Sequence, residues 1–151
     1  MADELEVEEV LRTLAKALTL QAETILTMTH LSGTLRGLDG AAVKPQLRTF
    51  VQDELEDAYL LMEKFSALGG ELTMDVPVIT VPRDTAAALS HLIELERRAV
   101  AALHEVIPHT GQEPRSEALE HRLEHLIMRK QQQLDYLWHA SGCEQPLDED
   151  G

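Results

Sequence analysis

The chain has 151 residues, only 3% of them aromatic, and a formal charge of −14 from 27 acidic and 13 basic side chains. That length suits one domain with a real core, and the Leu- and Ala-rich apolar content favours packed helices over a β-sandwich. The acid excess argues against nucleic acid or an anionic membrane as partner. One cysteine, Cys143, allows no internal disulfide, no apolar run is long enough to cross a bilayer, and the acidic N-terminus is unlike a signal peptide. The expected setting is cytoplasmic.

The spacing predicts four helices. The first runs from about Glu4 to Leu35 and is ended by "RGLDG". The second starts near Ala41, tolerates Pro45 in its first turn, and stops at Gly69-Gly70. "ELTMDVPVITVPRD" has two prolines and a β-branched run, and reads as an extended connector. Asp84 or Thr85 caps the third helix, which ends at "PHTGQEP", and Pro114 to Ser141 form the fourth. Short links make helices 1 and 2, and helices 3 and 4, antiparallel neighbours. The connector, about 14 residues at about 3.3 Å each, can span a bundle lengthwise. The expected fold is all-α, a four-helix bundle over residues 1–142 with one long crossover, followed by an acidic tail, residues 143–151.

Each helix carries a polar residue in the middle of its apolar stripe. Lys130 has Leu123, Leu126 and Ile127 behind it and Leu134 and Leu137 ahead, all on one helical face. Glu54 sits likewise among Leu47, Phe50, Val51, Ala58 and Leu61, and Glu96 among Leu89, Leu92, Ile93, Ala99, Val100 and Leu103. On the first helix the stripe centres on Gln21, while Glu23 faces solvent. Asp57 and Gln133 follow Glu54 and Lys130 by three residues, at the edge of the same face. A buried ammonium is costly unless paired, so Lys130 demands partners.

Single positions on helices 1 and 3, with i, i+3 pairs on helices 2 and 4, follow the layout of di-iron carboxylate bundles. From about Leu11 to Ser141 the chain resembles bacterioferritin and the wider ferritin-like superfamily. "DELEDAYLLMEKFSALGG" is similar to the family's helix 2 segment around its Glu-x-x-His pair, and "KQQQLDYLWHA" to the helix 4 segment holding the second pair. The resemblance implies a metal layer in which Gln21 stands for a terminal Glu, Glu54 and Glu96 match family acids, and Asp57 takes a histidine position. Lys130 and Gln133 replace the second Glu-x-x-His. Leu55 stands at the haem-ligating methionine, so no haem is implied, and no fifth helix is expected after Ser141.

Three carboxylates and one ammonium make a degenerate layer. The leading expectation is a metal-free layer with Lys130 bridging Glu54 and Glu96, Gln21 and Gln133 satisfying the remaining groups, and a non-catalytic structural or interaction role. The alternative is an altered site for iron or another divalent metal at Glu54, Asp57 and Glu96, with ferroxidase-type chemistry if any. His121 and His125, spaced i, i+4 with Glu117 or Glu124 nearby, have a spacing that can hold zinc, but they lie opposite the core stripe, where paired histidines are more often solvated. Leu55, Tyr59 and Met62, with Leu26, form an apolar strip outside the core, which predicts a homodimer.

Overall fold

The computed structural model describes residues 6–111 and 113–142, the side chains of residues 115 and 116 excepted. It contains helices α1 (Val7–Thr34), α2 (Gly37–Ala67), α3 (Thr85–Val106) and α4 (Pro114–Ser141), with a 3-10 turn at Ile107–His109. The expected start at Glu4 and the acidic tail lie outside the described residues. No helix among them is long and apolar enough to cross a membrane.

The termini follow local chemistry. Asp84 caps α3, its carboxylate accepting from the Ala87 N–H at 2.9 Å. Pro114 opens α4, where its missing N–H costs nothing, and Gly142 closes it in the left-handed region at φ 74°. The start of α2 differs from expectation: "RGLDG" is not a long break. Gly37, at φ 78°, turns the chain by itself, and α2 begins there. Gly40 is already helical, and a Cβ there would come within 3.0 Å of the Leu35 carbonyl carbon. Pro45 therefore falls inside α2 rather than in its first turn. The carbonyl it leaves unpaired belongs to Ala41, and both residues are exposed, so water can take that bond.

Helix α1 packs against α2 and α3, α3 packs against α4, and α2 meets α4 more thinly. The starts of α2 and α3 lie side by side, a Cβ on Gly40 falling 3.4 Å from Thr85 Oγ1. The chain must therefore return from the far end of α2 before α3 begins. Residues 68–84, with neither helix nor strand, make that crossing. Leu72 packs on one apolar cluster, with Val10, Val106 and Leu119, whereas Val81 packs on the other, with Leu35, Val43 and Leu137. The long crossover is as expected.

The two clusters occupy opposite halves of the bundle. One uses α1 from Val10 to Leu20, α2 at Leu61 and Phe65, α3 from Leu95 to Val106, and α4 from Leu119 to Leu126. The other uses Met28 to Leu35, Val43 to Phe50, Ala88 to Ile93, and Leu134 with Leu137. Between them every helix contributes polar side chains, all buried: Gln21, Thr24, Glu54, Asp57, Glu96, Lys130 and Gln133.

Candidate functional site

Lys130 lies on α4 with its ammonium between acids from two other helices. Nζ donates to Glu96 Oε1 at 3.2 Å and to Glu54 Oε1. The Gln133 carboxamide, with its NH2 turned to the acids, donates to Glu54 Oε1 at 3.0 Å and Glu96 Oε2 at 2.9 Å. Gln21 is present too but bonds differently from expectation. Its Nε2 donates to the Glu54 backbone carbonyl at 3.3 Å rather than to a carboxylate. Gln21 Oε1 and Glu54 Oε2 are left buried without a hydrogen-bond partner.

Charge sets the protonation of this layer. Two carboxylates and one ammonium sum to −1 in a place that water does not reach, and an unbalanced buried charge is expensive. Burial pushes the Glu54 carboxyl up to about 8; Lys130 opposes the rise and Glu96 adds to it. Burial thus favours the protonated form of Glu54, which moves the formal charge of the layer towards zero. Burial works against the Lys130 ammonium as well, but Glu54 and Glu96 outweigh it and lift its pKa above the ordinary lysine value.

Asp57 is buried at the edge of the layer and is held from outside. Arg129 Nη1 donates to Asp57 Oδ1 at 2.8 Å and to the Asp53 carbonyl at 3.3 Å. Burial raises the Asp57 pKa, with Arg129 pulling it back. The sequence reading missed Arg129, which is next to Lys130 in the chain but reaches across the thin α2–α4 seam. The available signal was an arginine next to the buried lysine, with a stem long enough to reach an acid on the facing helix. His121 and His125 are exposed, and His125 Nε2 lies 3.1 Å from Arg129 Nη2. Among the described residues no three His, Cys, Asp or Glu side chains are grouped to hold a metal ion.

Outside the layer, Leu26, Leu55 and Tyr59 are exposed as the strip requires. Met62 is not part of that strip; it is half-buried and packs on the first apolar cluster. Glu23 is only half-exposed and Thr27 beside it is buried, so the buried face of α1 is wider than its apolar stripe. Thr13, Thr24 and Thr27 can be buried there because each hydroxyl donates to the carbonyl four residues earlier, at 2.7 to 2.9 Å.

A four-helix bundle with one long crossover and a polar layer drawn from all four helices defines a ferritin-like protein. The ferritin-like domain family matches residues 11–140, and the chain belongs to that family. Among curated proteins none matches it. Its fold is similar to that of a ferritin-like, diiron-carboxylate protein from Bacillus anthracis, with a TM-score of 0.80 and 21% identity over 89% of this chain and 96% of that one. It is also similar to a dodecameric thioferritin, the bacterioferritin-related protein of Bacteroides fragilis, with a TM-score of 0.79 and 16% identity over 90% and 86% of the two chains. A Dps1 mutant from Mycobacterium smegmatis aligns at a TM-score of 0.62 and 16% identity, over 85% of this chain and 97% of that one.

Proposed function

We propose that this is a ferritin-like protein in which Lys130 takes the place of the metal charge, leaving a metal-free layer and a non-catalytic, structural or interaction role in the cytoplasm. The observation that carries the reading is the position of Lys130 Nζ, bonded to both Glu54 and Glu96. Two divalent cations need several free anionic oxygens. Here the two acids on the bundle axis are engaged by an ammonium and an amide, and Asp57 is engaged by Arg129. That donor set does not fit a di-metal centre, and no reaction step is derived through one.

The test is metal loading. The purified chain should carry no stoichiometric iron or zinc, and its melting temperature should not rise when ferrous or zinc ion is added. Lys130→Glu restores the family's acid; it should be less stable without metal and gain stability with it, since a ligand bound only by the folded state stabilises by mass action. A rise of several degrees in the wild-type protein with ferrous ion would overturn the reading in favour of an altered site at Glu54, Asp57 and Glu96.

In the same reading the chain pairs with a second copy through Leu26, Leu55 and Tyr59 on the outer faces of α1 and α2. Support comes from their exposure together, on adjacent helices, and from the assembled state of the Bacteroides fragilis protein. Sedimentation should give a homodimer at micromolar concentration, and Tyr59→Asp should give a monomer.

A further inference from the structure

At the end of the bundle where α1 stops and α3 starts, a cavity of about 380 Å³ lies under the last residues of the crossover. Its apolar wall is Leu35, Val81 and Pro82, and its ionisable lining is His30, Arg36 and Arg83, with no acid. In a chain with twice as many acids as bases this is an unusual local balance. The acids closest in sequence are turned to other uses. The Asp84 carboxylate is bonded to the Ala87 N–H, and Asp39 lines a different cavity, with Thr85, Tyr136 and His139.

Neither arginine makes an ion pair or side-chain hydrogen bond among the described residues; Arg12, Lys16, Arg97, Arg129 and Lys130 are paired with acids, while Lys44, Arg48, Lys64, Arg98 and Arg122 have no acid partner there either. Arg36 is also the N-cap residue of α2 and makes no side-chain cap, so its guanidinium is not engaged by its own helix. Two planar guanidiniums and an imidazole converging on a recess suit a tetrahedral oxyanion with several acceptor oxygens.

We infer that this recess binds a small phosphate-class oxyanion through Arg36, Arg83 and His30. It is independent of the Lys130 layer, which lies between the two apolar clusters, and it stands whether or not that layer binds metal.

The experiment is calorimetric titration of the full chain with sodium pyrophosphate at low ionic strength, with sodium chloride as the blank. Arg36→Gln combined with Arg83→Gln should weaken binding by about tenfold or more, as expected when charge-assisted hydrogen bonds are lost. Both side chains are exposed, so the double variant should fold with an unchanged circular dichroism spectrum. Arg98→Gln combined with Arg122→Gln removes the same charge elsewhere and should leave binding within about twofold. No heat above the blank in the wild-type protein, or equal losses in both double variants, overturns the site; the second result would mean attraction by overall charge alone.

Discussion

Lys16 and Lys130 make the same kind of bond in two different regions. Lys16 Nζ, on α1, reaches Glu105 on α3 at 3.1 and 3.2 Å; Lys130 Nζ, on α4, reaches Glu96 on the same α3 at 3.2 Å. The Lys16 and Glu105 side chains keep 56% and 48% of their surface in water, whereas Lys130 and Glu96 keep 3% and 0%. At the surface, solvent screens the pair and offers both ions an alternative, so forming it changes little. In the layer there is no alternative. What the burial buys is not stability, since an apolar layer of equal volume would serve as well or better, but dependence of each group on the others.

The first way to break that comparison is Lys130→Met. It leaves Glu54 and Glu96 facing each other with only Gln133 between them, and removing one side of a buried charged group costs about 3–5 kcal/mol. Chemical denaturation should show a loss of that order, or no folded protein at all. A loss under about 1 kcal/mol, typical of exposed pairs, would mean the layer is wetter than its burial implies.

Arg129→Met probes a case between the two. Its side chain is 29% exposed, while Asp57 across from it is only 5% exposed. Losing Arg129 strands a buried carboxylate, which costs about 1–3 kcal/mol. Asp57 can escape by taking up a proton, and burial already raises its pKa. The loss should therefore be largest at neutral and alkaline pH and shrink in acid. Equal losses at pH 4 and pH 8 in urea titrations would place the effect in the arginine stem's packing instead.

These cases show how far a one-dimensional reading reaches. The position of Lys130 was legible because helical periodicity converts sequence offsets into a face, and Glu54, Glu96 and Gln133 follow by the same count. Arg129 was not, because its offset places it off the stripe, and only the distance across the seam reveals that its guanidinium reaches Asp57. Gln21 was located correctly but its bond was not, since helical offsets place a side chain on a face without choosing between a carboxylate and a backbone carbonyl of the same residue. The start of α2 failed for another reason. Two glycines in "RGLDG" look like one long break, yet Gly37 serves the turn and Gly40 serves close packing on Leu35.

A smaller effect should distinguish the layer through pH. The folded chain binds a proton on Glu54 more tightly than the unfolded chain, with the pKa rising from 4.5 to about 8. Stability from this group is fully present below about pH 4.5, where both states are protonated, and is lost as pH rises through about 8. Glu54→Gln keeps the shape of the protonated acid and cannot lose a proton. The variant should differ little from wild type near pH 5 and should lose less stability between pH 5 and 8.5, as followed by urea unfolding. Parallel curves across that range would mean the proton is held elsewhere.

The smallest change is expected from Lys16→Met, and it serves as the control for the others. It removes a Lys–Glu bridge whose distances match that of Lys130 to Glu96, so that distance alone would predict a comparable loss. Both partners can return to water, and median exposed pairs are worth about 0–1 kcal/mol. The net charge of −14 adds a further consideration. Removing a cation from an acidic surface increases self-repulsion, which salt screens over about 10 Å at 0.1 M. The variant should therefore lose no more than about 0.5 kcal/mol at low salt, and the difference from wild type should fade in 0.5 M sodium chloride. Lys130→Met should keep its full deficit in the same salt, because the mobile ions do not enter the layer. If salt rescued Lys130→Met as well, the distinction between the two lysines would rest on long-range charge rather than on burial.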